Sequence, residues 1–257
     1  MSKVRYERRG DVGELVLADP PLNLFSRAFA DDMFAALTEA RTDAPRALLC
    51  HAEGDAFSAG ADVHIFQGHD LDSARALLHE FLHRLTEFTH WPVPKVTAVN
   101  GLCLAAGFEI ALAGDIIWAG DTAQFGLVEA LIGATPFGGG TARLAARAGI
   151  GRAAEAVYGA RLYDAETMQD WGVVQRVVPA GDLLDKARGL AEQLAAGPTR
   201  AHEATSAVLN AYAEAGIAAA DATLRQVAPR ILVTEDLANG VESLLENGPG
   251  HAKFVGR

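Results

Sequence analysis

The stretch that decides the fold is residues 94–143, PKVTAVNGLCLAAGFEIALAGDIIWAGDTAQFGLVEALIGATPFGGGTAR. The apolar run at 96–99 predicts a buried strand, and Asn100-Gly101 predicts a turn after it. Small residues at 105–107 then begin a short apolar helix that carries one acid, Glu109, and a second acid, Glu129, follows twenty positions later. Because carboxylates are rarely buried without a partner or a function, two acids in apolar surroundings predict a catalytic site.

Backbone chemistry supports the same interpretation. A helix that begins at 105–107 leaves unpaired N–H groups at its positive end, where small residues let a ligand approach closely. Such donors suit a developing oxyanion, and Glu109 lies about one helical turn beyond Ala106. If Glu129 faces Glu109, repulsion and desolvation would keep one carboxyl protonated and the other ionised. The alternative is a pair of acids on exposed edges, and the spacing alone does not decide between the two.

Composition narrows the classes of protein. The chain has 257 residues, of which 50% are hydrophobic, enough for a large core in one domain or in one domain plus a helical extension. A net charge of −11 argues against nucleic acid or an anionic membrane as a partner. Cys50 and Cys103 are too few for a disulfide framework and are predicted to be reduced core residues. The charged start and the lack of a long apolar run predict a cytoplasmic protein.

The order of elements predicts an α/β fold. A hairpin is expected over 4–17, a helix capped by Ser26 runs to about Arg41, a strand follows at 47–50, and the last strand-like run is 173–178. Beyond it, four segments show helical spacing of apolar residues: 183–196, 200–215, 217–233 and 236–246. Helices after a mixed core predict a cap or an oligomerisation layer.

A second turn could also meet a ligand. Residues 53–62, EGDAFSAGAD, end a strand and continue into small residues, so their backbone N–H groups are open to close approach. An ordinary surface turn explains this composition equally well.

Two other motifs are assigned structural roles. Residues 79–83, HEFLH, match a zinc-protease pattern, but no third ligand is evident and no metal is predicted. The buried stripe of that helix is predicted at Leu78, Phe81, Leu82 and Leu85, with both histidines beside it towards solvent. The run at 138–141, GGGT, lacks the lysine of a phosphate loop, so close chain packing is predicted in its place.

Together these motifs resemble the enoyl-CoA hydratase/isomerase, or crotonase, superfamily. The first resembling stretch is 57–63, FSAGADV, and the second combines 94–101, PKVTAVNG, with 105–109, AAGFE. The third is 125–129, FGLVE, followed by Gly133, Pro136 and GGGT at 138–141. The motifs occur in the family's order, and a weaker likeness extends over most of the chain.

The resemblance implies a fold and an assembly. It implies a crotonase-like spiral of repeated ββα units over 1–195, containing the active site, and a C-terminal helical trimerisation region over 196–257. It also implies a homotrimer or a dimer of trimers.

The resemblance also implies a site. The N–H groups of Ala61 and Ala106 would form the oxyanion hole for an acyl-CoA thioester, and Glu109 and Glu129 would be the two acids of family hydratases. Substrate or CoA contacts are implied for Ala59, Ala61, Asp62, Val63, His64 and Ala106. Phe66, Leu131 and Phe137 are candidate pocket walls, and ordinary core packing explains them equally well.

The function implied is reversible hydration of a 2-enoyl-CoA, with no metal and no cofactor, since CoA is part of the substrate. Another crotonase reaction, such as enoyl-CoA isomerisation, or a non-catalytic acyl-CoA-binding role are the alternatives. Two departures from the family pattern stand out: alanines at 105 and 106 replace two glycines, and residues 246–254 lack the usual basic pair.

Overall fold

The computed structural model describes residues 2–257, apart from the side chain of residue 84. Its larger sheet contains, in spatial order, β1 (Val4–Arg9), β2 (Val12–Leu17), β3 (Ala47–Ala52), β4 (Lys95–Val99), β6 (Ile116–Gly120) and β9 (Arg176–Val178). A smaller sheet contains β5 (Leu102–Leu104), β7 (Gln124–Gly126) and β8 (Tyr163–Asp164). β1 and β2 form the predicted antiparallel hairpin, and the other pairs of the larger sheet are parallel.

Nine α-helices are present in the described part of the chain. They are α1 (Arg27–Asp43), α2 (Leu71–Thr89), α3 (Ala106–Ala113), α4 (Gly140–Ala148), α5 (Ile150–Gly159), α6 (Ala165–Asp170), α7 (Leu183–Ala195), α8 (Thr199–Ile231) and α9 (Glu235–Asn247). Short 3-10 helices occur at Val63–Phe66, Glu129–Ile132 and Ala180–Asp182. None of the helices in residues 2–257 combines the length and apolar character needed to cross a bilayer.

Most of the predicted elements are confirmed. The Ser26 side chain caps α1 by accepting from the N–H of Phe29 at 3.2 Å. The two helices predicted at 200–215 and 217–233 are both present within α8, whose backbone leaves helical geometry at Ala215 and Gly216. The helical region after the mixed α/β core is therefore as predicted, with a kink where a break was expected.

The last strand is shorter than predicted. Only Arg176–Val178 pairs with β6, whereas Val173 and Val174 lie in the turn after α6. Both valines are buried, and both backbone N–H groups donate to the carbonyl of Met168. Their hydrophobicity thus reflects burial under a helix end, a pattern that a short strand shares.

The core lies on both faces of the larger sheet. The larger cluster includes five fully buried phenylalanines, Phe29, Phe57, Phe88, Phe108 and Phe125. The smaller cluster packs α7 against the opposite face through Leu49, Val96 and Ala187, among others. Cys50 and Cys103 are buried and unpaired, as predicted, and burial raises the pKa of the Cys50 thiol to about 12.

The C-terminal helices are joined to the sheet by polar contacts. Arg46, just before β3, donates through Nε to Thr199 Oγ1 at 2.7 Å and through Nη2 to the Gly197 carbonyl at 2.7 Å. The buried Asp236 carboxylate accepts from the N–H groups of Val255 at 2.6 Å and Gly256 at 2.9 Å. The tail is thereby held beside the start of α9.

Candidate active site

One cavity gathers six of the eight predicted site residues. Its volume is about 190 Å³, and it is lined by Ala59, Ala61, Val63, Ala106, Glu109 and Glu129 together with twelve other residues. Sixteen of the eighteen lining residues are apolar, and the other two are the predicted acids. The cavity therefore places two carboxyl groups in otherwise apolar surroundings.

The other two predicted residues, Asp62 and His64, are not among the described residues that line this cavity. Asp62 caps the following 3-10 helix, and its Oδ1 accepts from the His64 backbone N–H at 3.1 Å. The same oxygen lies 2.6 Å from Nδ1 of the exposed His64 ring. Their side chains bind each other beside the turn that carries Ala61.

The two turns that were predicted separately lie side by side. Ser58 and Leu104 are joined because the Leu104 N–H donates to the Ser58 carbonyl at 2.9 Å. A Cβ on Gly107 would lie 2.5 Å from the Ser58 Cβ, so glycine is required for this approach. The start of α3 therefore packs directly against the turn at 58–61.

Two backbone donors remain available in that arrangement. Phe25 pairs with the residues on either side of Ala61, through the Gly60 carbonyl at 2.9 Å and the Asp62 N–H at 2.8 Å. Neither the Ala61 N–H nor the Ala106 N–H donates to another described residue. Ala106 is the first residue of α3, where N–H groups are unpaired by the geometry of a helix.

Ala105, immediately before α3, has an unusual backbone. Its φ of 47° and ψ of −121° belong to a region that residues with a Cβ rarely adopt. A Cβ placed on Gly60 would lie 3.0 Å from the Ala105 methyl. Ala105 is therefore strained, whereas its neighbour Ala106 has helical geometry.

Glu109 is held by the glycine run at 138–140. Its Oε1 accepts from the backbone N–H groups of Gly138 and Gly140, each at 2.8 Å, and the residue is 1% exposed. A Cβ on Gly138 would lie 2.8 Å from Glu109 Oε2, and one on Gly140 2.8 Å from Glu109 Cγ. The run serves close packing, as predicted, and the group it packs against is the carboxylate. The sequence signal was present in GGGT, but it did not identify the partner.

The protonation of both acids is shifted. Burial raises the pKa of Glu109 to about 7, against the opposing effect of the Gly138 and Gly140 hydrogen bonds, and Glu129 raises it further. Burial also raises the pKa of Glu129, whose Oε2 is buried without a hydrogen-bond partner among the described residues. Both groups hold protons more tightly than exposed glutamates do, which suits acid–base chemistry near neutrality.

Aromatic pairs form much of the cavity wall. The Phe66 and Phe137 rings lie 5.7 Å apart, and the Phe25 and Phe81 rings 4.5 Å apart. Phe66, Leu131 and Phe137 line the cavity, which confirms the predicted walls. Phe25 and Phe81 were not predicted as walls, because nothing in their local spacing separates a cavity wall from core.

The HEFLH motif lies on the outside of α2. His79 and His83 are exposed, with ring centroids 6.4 Å apart. Within residues 2–257, no group of three or more His, Cys, Asp or Glu side chains is placed to hold a metal ion. The predicted buried stripe of α2 is wrong at Leu82, which is 41% exposed. The apolar face of the helix is centred on positions 78, 81 and 85, so Leu77 faces the cavity and Leu82 does not.

Fold and cavity together define a crotonase-like α/β protein. Residues 7–253 match the family model for enoyl-CoA hydratase/isomerase. The chain therefore belongs to the enoyl-CoA hydratase/isomerase family, an enzyme family.

Individual relatives agree with this assignment. The chain is 31% identical over 241 residues to a probable enoyl-CoA hydratase of Rhizobium meliloti, covering 93% of each chain. It is 33% identical over 197 residues to the probable enoyl-CoA hydratase EchA17 of Mycobacterium tuberculosis, covering 75% of this chain and 74% of the relative.

Solved structures share the fold over nearly the whole chain. An enoyl-CoA hydratase subunit I structure from Geobacillus kaustophilus superimposes with a TM-score of 0.92 at 29% identity, covering 99% of this chain and 98% of the other. An enoyl-CoA hydratase from Bacillus anthracis gives a TM-score of 0.91 at 25% identity, with coverage of 99% and 100%.

Proposed function

We propose that this enzyme adds water reversibly across the double bond of a 2-enoyl-CoA thioester. The water oxygen bonds to the β-carbon, and a proton is added to the α-carbon. The observation that carries the proposal is the juxtaposition, in one apolar cavity, of two carboxyls with raised pKa values and two unpaired backbone donors. An acid, a base and an oxyanion site are the groups that this addition needs.

The Ala61 and Ala106 N–H groups would donate to the thioester oxygen. Negative charge develops on that oxygen as water attacks, so the two bonds strengthen towards the transition state. Loss of one such donor typically raises a barrier by about 2.7–4 kcal/mol. The apolar lining strengthens these two hydrogen bonds, because it excludes water that would compete for the N–H donors.

Glu109 and Glu129 would transfer the protons. The ionised carboxyl accepts a proton from water as the water oxygen attacks the β-carbon. The protonated carboxyl delivers its proton to the α-carbon. Dehydration runs the same transfers backwards. Burial raises the pKa of Glu109 to about 7 and raises that of Glu129 as well, so we expect one carboxyl to be protonated and the other ionised near neutrality.

The CoA moiety would extend from the acyl group past the turn that carries Ala61. We assign contacts with it to Ala59 and Val63, which line the cavity, and to Asp62 and His64, which lie beside that lining. Water addition transfers no net electrons, and the two carboxyls supply the proton transfers, so we propose no redox cofactor and no metal. The net charge of −11 makes nucleic acid and anionic membranes unfavourable partners.

We also propose a homotrimer, or a dimer of trimers, in the cytoplasm, with residues 1–195 as core and 196–257 as the assembling region. In support, the C-terminal helices and the segment between α8 and α9 expose large apolar side chains: Leu209, Tyr212, Ile217, Leu232, Val233 and Leu245. Such side chains are costly to leave in water, and assembly of the chains would bury them. Light scattering coupled to gel filtration measures the assembly, and a stable monomer would contradict this proposal.

The deciding experiment is an absorbance assay on crotonyl-CoA, whose conjugated double bond is lost on hydration. Loss of absorbance in the presence of the enzyme, with a 3-hydroxyacyl-CoA product, supports the proposal. Turnover of a 3-enoyl-CoA without hydration would support isomerisation instead. Binding of CoA thioesters with no turnover of either substrate would support the non-catalytic role.

A further inference from the structure

Arg143 lies behind the glycine run that holds Glu109. Its Nη1 donates to the Gly138 carbonyl, and its Nη2 donates to Thr89 Oγ1 at 3.1 Å. A Cβ on Gly139 would lie 2.6 Å from the same Nη1, so the guanidinium packs tightly against the loop. One side of the loop therefore meets the Glu109 carboxylate, and the other side meets Arg143.

We propose that Arg143 is a positioning residue that holds the Gly138–Gly140 backbone against Glu109, with Thr89 as its anchor at the end of α2. This inference rests on the proposed acid–base role of Glu109. The Arg143 fork spans from α2 to the loop, and the loop N–H groups fix the orientation of Oε1. A catalytic carboxyl needs such support because small displacements of a reacting group reduce rates strongly.

The electrostatics around Glu109 define the expected effect. The charged groups that face its carboxyl are Glu129, from the 3-10 helix, and Arg143, from α4; α2 presents the Phe81 ring near Gly138. The loop N–H bonds and the Arg143 charge both favour the ionised carboxylate. Replacing Arg143 removes its charge and also releases the loop N–H groups, so both influences that lower the Glu109 pKa are weakened and the pKa must rise.

Arg147 provides a matched control on the same helix. It lies about one helical turn beyond Arg143, and its guanidinium donates to the carbonyls of Leu112 and Gly114 at the end of α3. Like Arg143, it is a half-buried arginine that binds backbone carbonyls. Removal of Arg147 tests what the loss of any such arginine does to the fold.

The experiment compares Arg143→Met, Arg143→Lys, Thr89→Val and Arg147→Met. The midpoint of Glu109 protonation is measured by infrared difference spectra against Glu109→Gln, and hydration of crotonyl-CoA is measured across pH. We expect Arg143→Met to raise the midpoint and to lower kcat about 10- to 100-fold with KM changed less than about threefold. Arg143→Lys keeps the positive charge but cannot make both guanidinium hydrogen bonds. Its midpoint of Glu109 protonation should therefore lie between those of wild type and Arg143→Met.

Thr89→Val keeps the Arg143 charge and removes only the anchor, so it should raise the midpoint by less than Arg143→Met. Arg147→Met should leave the midpoint unchanged. The proposal is overturned if folded Arg143→Met has the same midpoint of Glu109 protonation as wild type. If Arg143→Met does not fold, a wild-type midpoint in folded Thr89→Val overturns it. If the midpoint shifts but wild-type enzyme does not hydrate crotonyl-CoA, the positioning role stands and the proposed function fails.

Discussion

The backbone N–H of Gly140 lies 2.8 Å from Oε1 of Glu109, across thirty-one positions of sequence. This hydrogen bond joins the start of α4 to the first turn of α3 and so fixes the position of the Glu109 carboxyl. The acid consequently sits with one oxygen held by the backbone while burial raises its pKa to about 7. A carboxyl in this state can both hold and release a proton at neutral pH.

Glu109→Gln and Glu129→Gln should each lower the rate of crotonyl-CoA hydration by at least about a hundredfold, since acid–base groups contribute about 10²–10⁴. In Glu109→Gln the side-chain amide oxygen can still accept from Gly138 and Gly140, so the fold should persist. Circular dichroism and CoA binding serve as controls. Near-wild-type turnover in either folded variant would remove that residue from the mechanism.

The raised pKa of Glu109 also predicts a pH-dependent stability. Its folded pKa of about 7 exceeds the ordinary value of 4.5, so the folded state binds the proton more tightly. The resulting stabilisation is complete below pH 4.5 and is lost as pH rises through 7. Relative to wild type, Glu109→Gln should gain about 3 kcal/mol in unfolding free energy across this window.

Urea denaturation at matched protein concentration, at about pH 5 and about pH 8, measures the difference. Glu39→Gln, which changes an exposed acid on α1, is the matched control and should show no comparable gain. An equal difference between Glu109→Gln and wild type at both pH values would mean that Glu109 is ionised throughout.

Much of this arrangement could be predicted from sequence, because its signals are local. The Ser26 cap, the apolar strand around Val96 and the helix start at Ala106 each follow from residue type and spacing. The three motifs also located the two acids and both turns. The prediction that the two acids and both turns share one site came from the family resemblance. Residue spacing alone did not decide whether Glu109 and Glu129 face each other.

The remainder depended on tertiary packing. The hydrogen bond between Gly138 and Glu109 links segments that are distant in sequence, so no periodic pattern of residues predicts it. Leu82 is apolar yet exposed because the face of α2 is set by what packs against it. The strained backbone of Ala105 arises because two turns are pressed together there, an effect that residue type does not reveal.

That strain predicts opposite effects at neighbouring alanines. Ala105→Gly should raise the unfolding free energy by about 0–2 kcal/mol, because relief of about 1–3 kcal/mol exceeds the entropic cost of glycine. Ala106→Gly, in helical geometry, should lower it by about 0.5–1 kcal/mol. Chemical denaturation of both variants gives the comparison. Destabilisation of Ala105→Gly by as much as Ala106→Gly would contradict the positive φ at Ala105.

The oxyanion hole can be tested by removing a donor. Ala106→Pro eliminates the N–H at the first position of α3, where proline is best tolerated. We expect hydration to slow about 10²–10³-fold with CoA affinity changed much less, because the bond matters most in the transition state. Ala106→Gly keeps the N–H and should retain the rate. A folded proline variant with normal hydration would show that the thioester oxygen binds elsewhere.

The Phe66–Phe137 pair predicts a preference for short acyl chains. The two rings lie 5.7 Å apart in the cavity wall, so they limit the length of acyl chain that the cavity can accept. Phe137→Ala should open that wall and raise kcat/KM for an eight-carbon enoyl-CoA, relative to crotonyl-CoA, by at least about tenfold. Phe34→Ala, which changes an exposed phenylalanine of α1, is the control. An unchanged ratio in Phe137→Ala would mean that the acyl chain leaves the cavity past a different wall.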